Sequence, residues 1–168
     1  MKSLFKPDRR ASSVYEIDFD REYEDGIRGL IFDIDNTLVP QNAPADSRSI
    51  SFAHSLMEKG FSISLISNNS RKRVEAFADS LGVNHIPNAS KPSRRAYRKA
   101  MALMGTTPEN TLFIGDQIFT DIFGARRAHI KNILVDPLEP SLENPFIRMK
   151  RKFEGLVAGR RGSTSKTT

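Results

Sequence analysis

The stretch Gly29-Leu30-Ile31-Phe32-Asp33-Ile34-Asp35-Asn36-Thr37-Leu38 is an apolar run that stops at two carboxylates one residue apart. Leu30, Ile31 and Phe32 read as a buried strand, and Asp33 stands where that strand leaves the sheet. Side chains alternate across an extended backbone, so Asp33 and Asp35 point the same way around Ile34. Two acids are thereby aimed at one place. In open α/β sheets ligands sit in the crevice beyond the carboxyl ends of the strands, which is where these acids fall. The competing reading is a simple turn, with Asn36 and Thr37 as local hydrogen-bonding residues.

Downstream, strand-like and helix-like segments alternate. Ile50, Phe52, Ala53, Leu56 and Met57 recur at helical spacing before Gly60, and residues 61–66 form a second strand that ends at Ser67-Asn68-Asn69-Ser70. A helix carrying Val74, Phe77, Ala78 and Leu81 closes at Gly82. A brief strand at Asn84-His85-Ile86 leads to Ser90-Lys91-Pro92, and a basic amphipathic helix covers 93–104. A fourth strand, Thr111-Leu112-Phe113-Ile114, ends in Gly115-Asp116; a helix over about 119–128 and a strand at Ile133-Leu134-Val135 follow. The pattern predicts an α/β fold with a five-stranded, mainly parallel sheet, helices on both faces and right-handed crossovers.

The 168 residues suit one domain with its own core. The expected division is an N-terminal arm over 1–28, a folded body over 29–144 and a basic tail over 145–168, whose Gly/Ser/Thr-rich end reads as disordered. There is no cysteine, which excludes disulfides and thiolate metal sites. The first residues lack the apolar core of a signal peptide, and no run is long enough to span a membrane, so a soluble cytoplasmic protein is expected. Net charge is +6, and its position is informative: residues 148–168 hold seven basic residues against the single acid Glu154, while the rest is balanced. A neutral body with a basic tail suits an anionic partner surface or a solvated end.

Four strand ends carry Asp33 with Asp35, Ser67, Lys91, and Asp116 with Asp121. A carboxylate can attack phosphorus and split one hard displacement into two easier ones. An anion approaches an anionic phosphate only with help from a cation, and oxygen ligands from Asp33, Asp116 and a backbone carbonyl suit Mg²⁺. Ser67 and Lys91 offer a hydroxyl and a positive charge to the transferring oxygens, and Asp35 is placed to protonate the leaving oxygen. Taken singly, each residue has a plainer reading: Ser67, Asn68 or Ser70 as a helix cap, Lys91 as a solvated lysine, Asp116 and Asp121 as acids favoured at a helix start. Their joint appearance, each at a strand end, favours the chemical reading. His54, His85 and His129 lack ligand spacing and read as structural.

This constellation resembles the haloacid dehalogenase (HAD) superfamily over residues 29–136. Asp33-x-Asp35-x-Thr37 looks like its first motif, Ser67 like the second, Lys91 like the third and Gly115-Asp116-x₄-Asp121 like the fourth. The resemblance implies a Rossmann-like HAD fold, with Asp33 as nucleophile and Asp35 as general acid/base. It further implies Ser67, Asn68 and Lys91 as phosphate ligands, Mg²⁺ held by Asp33, the Asp35 backbone carbonyl and Asp116, and Thr37 and Asp121 in support. An acid at Asp35 marks phosphoryl transfer, since dehalogenases of the superfamily lack it. More narrowly, the first and fourth motif stretches look like those of the YqeG-type subgroup of subfamily IIIA phosphatases, which includes phosphatidylglycerophosphate phosphatases.

The intervals after the first motif and between Ser67 and Lys91 are too short for a cap domain. An open site favours a large substrate, such as a lipid headgroup at a membrane. A phenylalanine-bearing basic helix over 145–157 could then contact an anionic membrane at its inner face. Two alternatives are a soluble nucleotide or sugar phosphatase, and a noncatalytic module docking RNA or a ribosomal surface through Arg94, Arg95, Arg98, Lys99 and the tail.

Overall fold

A computed structural model describes residues 3–139, so the expected helix over 145–157 and the body–tail boundary lie outside the described residues. Its centre is strand β2 (Gly29–Phe32), buried along its whole length. The other strands are β1 (Arg9–Ala11), β3 (Ser62–Ile66), β4 (Asn84–Ile86), β5 (Thr111–Gly115) and β6 (Lys131–Val135). All pairings are parallel, in the order β1-β6-β5-β2-β3-β4. The chain leaves β2 toward β3 on one side and returns to β5 on the other. The strand order therefore reverses at β2, the position where such sheets open a crevice for ligands.

The sheet has six strands rather than the five expected. The additional one is β1, whose Arg9, Arg10 and Ala11 pair with Ile133, Leu134 and Val135. Three residues with two exposed arginines carry no alternation; the pairing is supplied by the β6 edge and by Asp8, whose carboxylate accepts from Asn132 N and Nδ2. The same segment closes the core, with Val14 and Phe19 buried. The Tyr15 hydroxyl donates to the Leu38 carbonyl at 2.5 Å, tying the N-terminal segment to the loop beyond β2.

Helices α1 (Phe19–Glu24), α2 (Ser47–Glu58), α3 (Arg71–Leu81), α4 (Arg94–Met104) and α5 (Phe123–Arg127) complete the architecture. Alternation along β2 divides the interior in two. Leu30 and Phe32 meet Leu56 of α2 and Phe77 of α3, while Ile31 meets Tyr97 of α4 and Ala125 of α5. Serines or an aspartate cap the helices that begin at the carboxyl edge: Asp46 for α2, Ser70 for α3 and Ser93 for α4. The helix expected over 119–128 is instead a π-helical turn, Ile118–Ile122, continuing into α5. Among the described residues nothing is inserted between β2 and α2 except a loop, and only α3 lies between β3 and β4.

Candidate active site

Because the strands are parallel, the ends of β2, β3 and β5 put Asp33, Ser67 and Asp116 on one edge of the sheet. The backbone hydrogen bond from Asp33 N to Ile114 O extends the pairing one residue past β2. Ile34 is then turned into the core while Asp33 and Asp35 both line a pocket of about 290 Å³. Beyond Asp35 the chain folds back at once: Asn36 takes the left-handed conformation at φ 61°, which asparagine tolerates, and its N–H donates to Val39 O at 2.7 Å.

Lys91 comes from the loop after β4 and is buried. Its Nζ donates to Asp33 Oδ1 at 2.7 Å and to Asp121 Oδ1 at 2.6 Å. The other oxygen of Asp121 accepts the backbone N–H of Asp116 and of Gln117, at 3.2 and 3.1 Å. Asp121 thus ties the end of β5 to Lys91. Position 115 must be glycine for this, since a Cβ there would stand 2.5 Å from Asp121 Oδ2. The Thr37 hydroxyl donates to Asp116 Oδ1 at 3.5 Å.

Ser67 is buried in the same pocket, and its Oγ accepts the Asn69 N–H at 3.1 Å. The cap of α3 is Ser70 and not Ser67. Asn68 clasps the backbone of Lys91 from both sides: its Oδ1 accepts Lys91 N at 2.7 Å and its Nδ2 donates to Lys91 O at 3.4 Å. Asp35 stands nearer the mouth. It accepts from Asn42 N at 2.7 Å, Arg73 Nη2 at 3.0 Å and Asn69 Nδ2 at 3.4 Å.

The charges decide what this cluster can hold. Carboxylate oxygens of Asp33, Asp116 and Asp121 lie within 4.8 Å of one another, all from buried residues. Against Lys91, three ionised carboxylates leave an excess of negative charge away from water, which is expensive. The Asp33 carboxyl is raised to about 7, chiefly by burial, with Lys91 opposing the rise and Asp121 and Asp35 adding to it. Burial alone would lower the Lys91 ammonium, but Asp121 and Asp33 more than offset this and hold it charged. The donor set is all oxygen, anionic and short of positive charge, so it fits a hard divalent cation. Both oxygens of Asp121 accept hydrogen bonds, one from Lys91 and the other from the backbone N–H groups of Asp116 and Gln117, so this carboxylate braces the cluster.

Residue spacing did not disclose four further features. Gln41, Asn69, Gln117 and Thr120 also line the pocket. Arg73, in the basic run Arg71-Lys72-Arg73, faces Asp35. Tyr97 reads as a core residue, and its hydroxyl donates to the carbonyls of Thr120 and Asp121 at 2.8 and 3.2 Å. The π-helical turn shifts the backbone register there and places Asp121 under Lys91.

Comparison with known proteins shows the family. Residues 48–129 match the family model for haloacid dehalogenase-like hydrolases. The chain is 34% identical over 158 residues, covering 94% of it and 91% of its relative, to "Probable phosphatase YqeG" of Bacillus subtilis. The chain belongs to the haloacid dehalogenase-like hydrolases. It is also 24% identical over 148 residues to the Arabidopsis thaliana protein "Phosphatidylglycerophosphate phosphatase 1, chloroplastic/mitochondrial", which covers 82% of this chain and 42% of that one. Among solved structures, the fold is shared with NagD of Escherichia coli (TM-score 0.54, 17% identity, 65% of this chain and 87% of that one). The Haemophilus influenzae deoxy-D-mannose-octulosonate 8-phosphate phosphatase, in its cobalt-bound form, has a TM-score of 0.51 at 16% identity, over 84% and 95% of the two chains. These two solved structures share the fold of this chain.

Proposed function

We propose that this HAD-family phosphatase is a Mg²⁺-dependent phosphomonoesterase that transfers the phosphoryl group to Asp33. The observation that carries the reading is the buried cluster at the carboxyl edge, where Asp33, Lys91, Asp121 and Asp116 meet and Asp35 shares the mouth. Asp33 and Asp116, with the Asp35 backbone carbonyl, would hold Mg²⁺. Bound there, the cation supplies the positive charge that lets an anionic phosphate approach an anionic nucleophile.

The chain's own residues do the rest. Lys91, fixed between two carboxylates, presents its charge beside the nucleophilic oxygen and stabilises the transferring oxygens, while Ser67 and Asn68 line the phosphate's seat. Asp33 attacks phosphorus, the alcohol leaves with a proton from Asp35, and Asp35 then takes a proton from the water that hydrolyses the aspartyl-phosphate. Thr37 and Asp121 keep Asp116 and Lys91 in place. A binding module using only Arg94, Arg95, Arg98 and Lys99 would leave this buried cluster without a purpose.

The open pocket supports a large or membrane-associated substrate such as phosphatidylglycerophosphate. No described helix is long and apolar enough to cross a membrane, so contact with anionic lipid would be peripheral. The test is phosphate release from p-nitrophenyl phosphate and phosphatidylglycerophosphate, with Mg²⁺, with EDTA and after Asp33→Asn. Mg²⁺-dependent release that disappears in the variant is expected; full activity in EDTA or without Asp33 would contradict the mechanism.

A further inference from the structure

The geometry points to a second subsite beside the phosphate pocket, a groove that takes an apolar chain on the substrate's alcohol. This rests on the phosphomonoesterase reading and extends it to the other end of the substrate. The groove, of about 470 Å³, is lined by the 40–46 loop and α3. Pro44, Ala45, Ala76 and Phe77 form its apolar wall, and Phe77 is anchored in the core, so that part of the wall is fixed.

Arg73 joins the groove to the phosphate pocket. It lines the groove, while its Nη2 donates at 3.0 Å to Asp35, which lines the pocket. Its Nε is buried and has no acceptor among the described residues, so the protein does not saturate this guanidinium. An oxygen on the first carbons of an alcohol would suit it. The rest of the groove asks for something different. From Ser70 to Ser80 it follows roughly 15 Å of helix. A compact polar alcohol would leave that length wet, whereas an elongated apolar chain covers it. Among the described residues that line it none is acidic, and Lys72 stands beside Arg73. The groove's own lining therefore adds no repulsion toward a negatively charged headgroup.

The test is a series of monoalkyl phosphates from methyl to octyl, used below their micelle concentrations, with kcat/KM measured for each. Affinities of the matching alkyl phosphonates, which cannot be hydrolysed, are measured by calorimetry. Burial of methylenes predicts a rise of roughly two- to fourfold per carbon in both quantities. In Ala76→Glu that rise should flatten toward no change per carbon. Ala76 is exposed and glutamate is a good helix former, so the variant is accommodated. The control is Leu103→Glu on α4, outside the groove, which should keep the wild-type slope. Turnover and binding without a chain-length slope, or a slope untouched by Ala76→Glu, would overturn the subsite. A slope in phosphonate affinity without hydrolysis of any phosphate would instead overturn the phosphomonoesterase reading and leave the groove standing. A flat series together with a dimer that Ala76→Glu dissociates would give the groove to a second copy of the chain and overturn the proposal.

Discussion

At the scale of single residues, the buried lysine and its carboxylates determine both chemistry and stability. Lys91 has two partners within 2.7 Å, and its loss leaves Asp33 and Asp121 facing each other without a cation. Lys91→Ala should lower kcat/KM for p-nitrophenyl phosphate by about 10²- to 10³-fold, the range for removing one preorganised electrostatic group. A loss below tenfold would remove Lys91 from the transition state. Asp35 calls for a different assay. Its Asn variant should harm alkyl phosphates far more than aryl phosphates, because a proton donor matters most where the departing oxygen is basic. Equal losses would deny Asp35 that role. Asp33 gives a pH signature. Its carboxyl is raised from 3.8 to about 7 in the fold. Ionising it therefore costs native stability that is intact below about 4 and lost as pH rises through about 7. In EDTA, the urea midpoint of wild type relative to Asp33→Asn should fall across that window, and Mg²⁺ should diminish the fall. A constant difference in EDTA would show that burial does not hold the proton.

At the scale of elements, the π-helical turn is what sequence could not disclose. The pattern of Phe119, Ile122, Phe123 and Ala125 is helical in either form. The choice of a wider turn depends on Tyr97, a residue on another helix whose hydroxyl reaches the carbonyls of Thr120 and Asp121. Gly124 makes room for that hydroxyl, since an added Cβ would overlap it. Tyr97→Phe should lower stability by about 1–3 kcal/mol in urea unfolding, the cost of leaving a buried carbonyl without its donor. Gly124→Ala should destabilise by a similar ~1–3 kcal/mol through overpacking. Neutral substitutions at both positions would show that the turn does not depend on this contact. Strand β1 was hidden for a related reason. Arg9-Arg10-Ala11 has neither alternation nor an apolar run, and it becomes a strand only against the waiting edge of β6. The central strands were legible because each is a short apolar run closed by a polar residue. That same feature put Asp33, Ser67 and Asp116 on view as neighbours.

At the scale of the whole molecule, a parallel sheet turns residues far apart in sequence into one pocket. Asp33 and Lys91 are 58 positions apart and touch at 2.7 Å. Their meeting was foreseeable from strand order; the pairing of Arg73 with Asp35 was not, because it depends on how α3 lies against the loop after β2. The balanced body and basic tail suggest one more experiment. If residues 145–157 contact anionic lipid, sedimentation with anionic vesicles should fall for a chain truncated after Asn144, and for the full chain at high salt. Equal binding by both chains would leave the tail without that role. The central claim is the transfer of phosphorus to Asp33, and the most direct measurement is to quench turnover with acid and sequence the tryptic fragment of residues 29–48 by mass spectrometry. The expected result is a phosphoryl group on Asp33 that forms only with Mg²⁺ and is absent from Asp33→Asn. Rapid turnover with an unmodified fragment, or a phosphoryl group on another residue, would contradict it.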